Sequence, residues 1–147
     1  KLFNGEYKLV RMGNAPWDRP SNDTILITVN GNTVKDIPVT PYYFIRNATY
    51  TKNGNKLAVS FTIESTAASA SIEATKIFLS KNLLFDEKLK DAEIDLGNTV
   101  VTGQTISTEI EIPAKLLSAG YIYARIGVKS NKSSEYNYNQ STKIVIE

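Results

Sequence analysis

The sequence predicts an all-β protein whose larger part is an antiparallel sandwich. Two observations carry that prediction. Between Phe44 and the C terminus, about seven short segments alternate apolar with polar residues, roughly 8–15 residues apart, with turn residues between them. No heptad, solenoid period, internal repeat or long helical pattern competes with them.

The first elements are fewer. LFNGEYKLVRM opens with a turn at Asn4-Gly5 and a strand over Glu6–Met12. GNAPWDRPSND holds Gly, Asn, Asp and two prolines and is a loop. TILITVNGNTVKDIPV reads as a hairpin: Ile25, Ile27 and Val29 alternate with Thr24, Leu26 and Thr28, and Asn30-Gly31 supplies the turn. Three strands are too few to enclose a core. Lys1 to Ile37 is therefore either part of a larger β-domain that starts earlier, or an addition packed on the rest of the chain. The opening at Lys1 in mid-pattern predicts a mature or trimmed product. PVTPYYFI is the predicted seam, because its two prolines hold the chain extended and deny it ladder hydrogen bonds. The expected division is residues 1–39, a partial N-terminal β-domain, and residues 40–147, the sandwich.

In the sandwich, Phe44 to Lys52 leads through Asn53-Gly54-Asn55 into KLAVSFTIE, where Leu57, Val59, Phe61 and Ile63 share one face. TAASAS is a loop of small residues and IEATKIFLS a strand. KNLLFDEKLK is irregular or one helical turn. DAEIDLG sets Ala92, Ile94 and Leu96 against Asp91, Glu93 and Asp95, and ISTEIEI aligns Ile106, Ile110 and Ile112. PAKLLSAG reads as a helical turn, with Pro113 suited to its start and Gly120 to its exit. YIYARIGVKS, a polar loop NKSSEYNYNQ and a last strand STKIVIE complete the chain.

Composition limits the chemistry. The 147 residues carry a formal charge of only +2, with lysines scattered along the chain, so no basic cluster exists to neutralise several phosphates and nucleic-acid binding is disfavoured. There is no histidine and no cysteine, which excludes Ser-His-Asp and Cys-His nucleophilic systems, disulfides and thiolate metal sites. No apolar run is long enough for a transmembrane helix. Glu109 and Glu111 share a strand face, but their alternation with Ile110 and Ile112 makes that face a solvated sheet surface before it makes it a glycosidase pair. Asp86-Glu87 reads as a turn pair. DAEIDLG fails the helix–loop–helix calcium pattern, since Leu96 and Thr102 stand where Gly and Glu are needed, and reads as a charged edge strand. No metal and no cofactor is expected. Asn22, Asn47, Asn131 and Asn139 each begin an N-x-S/T triplet, which is also common loop chemistry.

The aromatic residues are the candidate binding groups. Sugars stack their apolar C–H faces on such rings while polar neighbours orient the hydroxyls. In GYIYARIGV, Ile122, Ala124, Ile126 and Val128 form an inward face and Tyr121, Tyr123, Arg125 and Gly127 an outward one. The outward row is a ligand platform, a surface held by cross-strand aromatic and cation–π pairs, or a contact with a missing domain or a partner. Tyr136 and Tyr138 alternate with Asn137, Asn139 and Gln140 as in a paratope, or clamp the end of the sandwich. Trp17 lies in a loop, where a core role is not automatic. Tyr42, Tyr43 and Phe44 stand at the seam as candidate glue between two domains.

Two resemblances add to this. GYIYARIGVKS…EYNYNQSTKIVI resembles the last two strands of a fibronectin type III or immunoglobulin-like domain, although Ile122 occupies the position of that fold's corner tyrosine. LFNGEYKLVR, NAPW, DTILITVNG, VTPYYFI and YARIGVKS together resemble a family of Bacteroidetes cell-envelope lipoproteins of unknown function. Those pair a carboxypeptidase-regulatory-like β-domain with a fibronectin-like sandwich, and are encoded beside Sus-type outer-membrane glycan importers. The resemblance implies an outer-membrane lipoprotein, attached through a lipid anchor outside this chain. It implies a non-catalytic accessory role in glycan binding, with importer proteins as possible partners. The rival expectation is a spacer or docking subunit. Asp23-Thr24-Ile25 also resembles the short O-glycosylation signal of such envelope proteins.

Overall fold

The structure, a computed structural model, describes residues 2–11, 13–19 and 24–146. Met12, Asn22 and Asp23, which bear on the end of the first strand, one N-x-S/T triplet and the O-glycosylation signal, lie outside the described residues.

The fold is all-β and antiparallel. Its strands are β1 (Gly5–Val10), β2 (Trp17–Asp18), β3 (Thr24–Val29), β4 (Thr40–Pro41), β5 (Tyr43–Asn53), β6 (Lys56–Ser65), β7 (Ile72–Ser80), β8 (Ala92–Gly97), β9 (Thr105–Glu111), β10 (Tyr121–Ser130), β11 (Tyr136–Tyr138) and β12 (Thr142–Val145). A single helical turn, α1 (Ala114–Leu117), precedes β10. Two sheets form the sandwich. One has the order β5-β6-β9, and the other β11-β10-β7-β8 with β12 also on β10. This is the strand arrangement of a fibronectin-type sandwich, with its last strand in two pieces.

Alternation fills the space between the sheets. Leu57, Val59, Phe61 and Ile63 of β6 meet Ile77 and Leu79 of β7 and Ile122, Ala124, Ile126 and Val128 of β10, all buried. Each large side chain among them contributes about 1.5–3 kcal/mol by leaving water. Strand β5 needs one device to join them. Asn47 takes a left-handed backbone (φ 54), and the register with β6 shifts between Arg46 and Thr49. This bulge reverses the parity of the strand, so that Tyr43 and Ile45 before it and Ala48 and Tyr50 after it all pack on the same core.

The break between β11 and β12 is bridged by one side chain. β11 pairs with β10 over Gly127 to Lys129, and β12 over Tyr121 to Ala124. Between them Asn139 Oδ1 accepts from Ile126 N (2.7 Å), its own N donates to Ile126 O (3.2 Å), and its Nδ2 donates to Tyr50 Oη (3.0 Å). The interrupted ladder thus keeps its hydrogen bonds, and the side chain of this N-x-S triplet is spent inside the fold. β11 itself corrects the expected unbroken loop: Tyr136 and Tyr138 lie on a short strand.

Residues 2–41 are built differently. β1 pairs with β3 in a two-stranded ladder from Gly5–Val29 to Val10–Thr24, and β2 pairs with β4. No described residue before Tyr42 is buried. The expected hairpin formed only in part. Gly31 (φ 67) makes the turn, but Thr33 to Val39 is not a strand, and β3 takes β1 as its partner. The seam proline Pro41 does not escape pairing, since Thr40–Pro41 lies against Trp17–Asp18. The segment meets the sandwich at Asn14, another left-handed residue (φ 66). Its Oδ1 accepts from Ser134 N (3.0 Å) and its Nδ2 donates to Ser134 Oγ (2.8 Å), while Tyr42 N donates to Pro16 O (3.2 Å).

Candidate functional site

The outward face of β10 divides into two halves with different fates. At its C-terminal half the face is covered. The connection between β7 and β8, residues 81–91, folds over it and places Phe85 on Phe78 and Tyr136 in a second buried cluster, with Tyr138 against it. Arg125 is the rivet. Its Nη1 donates to the Phe85 carbonyl (2.5 Å), and its guanidinium carbon lies 4.0 Å from the Tyr138 ring centroid and 5.7 Å from that of Phe85. Tyr138 Oη in turn accepts from Glu87 N (3.1 Å). Asp86 shapes the covering segment by accepting at Oδ1 from Lys88 N and Leu89 N, the turn pair the sequence suggested. The two backbone bonds hold its carboxyl below the usual range.

The rings close around Gly127. A Cβ there would lie 2.8 Å from Phe78 Cε2 and 3.0 Å from ring atoms of both Tyr136 and Tyr138. The position has to be glycine so that β10 can pass beneath three aromatic rings. Burial lowers the Arg125 pKa and raises those of Tyr136 and Tyr138, and it pushes Tyr50 up to about 12.

The candidate binding row is therefore corrected in part. Tyr136, 5% exposed, has no ring face free for a ligand, and Arg125 and Tyr138 are spent on each other. Their polar sequence context hid this, because the segment that covers them is remote in the chain. Tyr42 and Tyr43 are buried in the sandwich core, drawn in by the start of β5, and Tyr42 N also donates to Pro16 O of the N-terminal segment. Phe44 is half-buried beneath Arg46, whose guanidinium carbon lies 4.3 Å from its centroid. Trp17 is half-buried at its short pairing with Pro41.

At the N-terminal half of β10 the face stays open. Tyr121 is 40% exposed, and its ring meets that of Tyr123 edge to face, centroids 5.8 Å apart at 79°. Lys143 Nζ stands 4.5 Å from the Tyr121 centroid, and Val145, opposite Tyr121, is also exposed. Lys143 and Val145 were missed as site residues. Their signal was the alternation of STKIVIE, whose Ile144 and Ile146 are buried. The candidate residues do not converge. Tyr121 opens β10, whereas Asn14 and Trp17 lie beyond its far end, about 30 Å away at a strand rise of ~3.3 Å per residue.

The acidic strand is neutralised from within. Lys76 reaches Glu93 (3.1 Å) and Asp95 (3.7 Å), and Lys90 also reaches Glu93 (3.1 Å). Asp91 Oδ2 accepts from Lys81 N and Ser80 Oγ, which lowers its pKa. Among the described residues no group of acidic side chains is placed to hold a metal ion. Among them, too, no helix is long and apolar enough to cross a membrane.

A family model described as a domain of unknown function, DUF3823_C, matches residues 43–143, more than half of the chain. The chain belongs to the DUF3823 family. A DUF3823 family protein from Bacteroides ovatus is 60% identical with a TM-score of 0.88, over 100% of this chain and 78% of that one. A second, from Parabacteroides merdae, is 29% identical with a TM-score of 0.83, over 97% of this chain and 72% of that one. A protein from Bacteroides uniformis described as a "putative carbohydrate binding protein" shares the fold, with a TM-score of 0.78 at 17% identity, over 98% of this chain and 75% of that one. No protein of curated function matches.

Proposed function

We propose that this DUF3823 protein is a non-catalytic accessory protein of the bacterial cell envelope that binds glycans through the Tyr121–Tyr123 face. The carrying observation is the exposed Tyr121 ring, held edge to face by half-buried Tyr123, with Lys143 beside it. A sugar ring can stack on Tyr121 while the ammonium group and the phenols orient its hydroxyls. The absence of His and Cys and the position of Glu109 and Glu111 on an exposed strand face, with Glu109 near Lys56, support a role without catalysis. The description of the B. uniformis protein supports the ligand class. A place beside a Sus-type importer, a lipid anchor outside these residues, and a division into a partial β-domain (1–39) and a sandwich (40–147) complete the proposal.

The docking alternative has its own observation. Leu2, Phe3, Val10, Leu26 and Val34 are all exposed on the N-terminal segment. Retention in affinity electrophoresis through a panel of polysaccharides tests the first role, and copurification with importer proteins tests the second. A Tyr121→Ala/Tyr123→Ala variant loses retention under the first and keeps its partner under the second.

A further inference from the structure

We infer that the end of the sandwich opposite Tyr121 carries a second binding site, a cleft for a neutral, polyhydroxylated ligand such as the end of an uncharged oligosaccharide. The cleft has a volume of about 480 Å³, within the range of about 300–1,000 Å³ usual for small-molecule sites. It opens where the loop after β6, the loop after β8 and the start of β5 meet, so both sheets contribute to it.

Its chemistry is selective. No Asp, Glu, Lys or Arg lines it among the described residues. No counter-charge among them favours an ionic ligand over a neutral one. The apolar part comes from Ile72, Val100 and the ring of Tyr43. The polar part comes from Ser71, Asn98 and Thr102, whose side chains make no hydrogen bond to any described residue and so remain available. Tyr43 is the innermost member. Its ring is buried, and its hydroxyl, without a hydrogen-bond partner among the described residues, is accessible to solvent and so to a ligand. Apolar surface with uncommitted neutral donors and acceptors matches the two kinds of surface a sugar presents.

The walls are held in place before any ligand arrives. Ser71 exchanges two hydrogen bonds with Asn131, from Ser71 N to Asn131 Oδ1 and from Asn131 N to Ser71 O, both 3.0 Å. Gly103 N donates to Ile63 O (2.8 Å) and Thr66 N to Tyr42 O (3.1 Å). Both loops are thus tied to the ladder beneath, which limits the ordering cost of binding.

Calorimetric titration of the 147-residue protein with short neutral oligosaccharides of glucose, xylose and mannose tests the site. Ala68, exposed on the lip, is replaced by Trp to fill the cleft without touching the core, and Asn98 by Ala to remove one polar group. The expected result is affinity lower by about tenfold or more for Ala68→Trp and about fivefold for Asn98→Ala. The Tyr121→Ala/Tyr123→Ala variant should bind these short ligands as the parent does. Unchanged affinity in Ala68→Trp, or tighter binding of uronate-bearing oligosaccharides than of neutral ones, overturns the cleft. So does absence of any short-oligosaccharide binding at millimolar concentration. The tyrosine face is judged separately, by long polysaccharides and the double variant.

Discussion

The Arg125 guanidinium carbon sits 4.0 Å from the centre of the Tyr138 ring, and the same side chain donates to the carbonyl of Phe85. One residue of the outward row thereby locks a remote connection onto the sheet, and its charge is spent on the protein itself. Arg125→Lys keeps the charge but loses the planar stack and the forked donor. It should lower stability by about 1–2 kcal/mol and raise hydrogen exchange in residues 81–91. Polysaccharide retention should not change. Equal protection of residues 81–91 in both proteins would contradict the rivet.

Gly127→Ala should cost about 1–3 kcal/mol, because the new methyl meets three packed rings rather than flexible chain ends. Denaturant titration reads this directly. Loss of near-ultraviolet ellipticity in the tyrosine cluster, with far-ultraviolet signal retained, would place the damage where the three rings meet.

Alkali should unfold the protein through its buried phenols. Burial raises the Tyr50 pKa to about 12, and those of Tyr136 and Tyr138 also rise. An unfolded tyrosine loses its proton near pH ~10. Above that pH the unfolded state therefore holds fewer protons than the folded one, and stability falls as pH rises. It is intact below about pH 10. Thermal melts across this window should show Tm dropping with pH, and Tyr50→Phe should flatten the slope. Identical slopes in the two proteins would count against this account.

Asn14 ties the N-terminal segment to the turn between β10 and β11, and its left-handed backbone favours Asn or Gly. Asn14→Gly keeps the backbone and removes both side-chain bonds. Limited proteolysis should then cut the segment before the sandwich. Unchanged cleavage would show that other contacts hold it.

Much of the sandwich was legible because alternation with a period of two states which side of a strand is buried. KLAVSFTIE and YIYARIGVKS needed nothing else. The bulge at Asn47 was not legible, since a single left-handed residue inverts the parity of β5 without altering composition. The Asn30-Gly31 turn was recognised, but the arm after it was not a strand: pairing is a tertiary choice, and β3 chose β1. The site was half legible. Tyr121 and Tyr123 were found on an outward face from local pattern alone. That residues 81–91 would cover Arg125 and Tyr138 depended on contacts 40 or more positions away in the chain. The cleft over Tyr43 left no pattern, because it is made of ordinary loop residues brought together only by the meeting of two sheets.

The central claim is that the open half of β10 stacks sugar. Affinity electrophoresis through polysaccharide gels, comparing the parent with a Tyr121→Ala/Tyr123→Ala variant of matched circular dichroism, tests it most directly. The account predicts retardation of the parent by at least one polysaccharide and free migration of the variant in the same gel. Equal retardation of both proteins, or of neither across the panel, would contradict it.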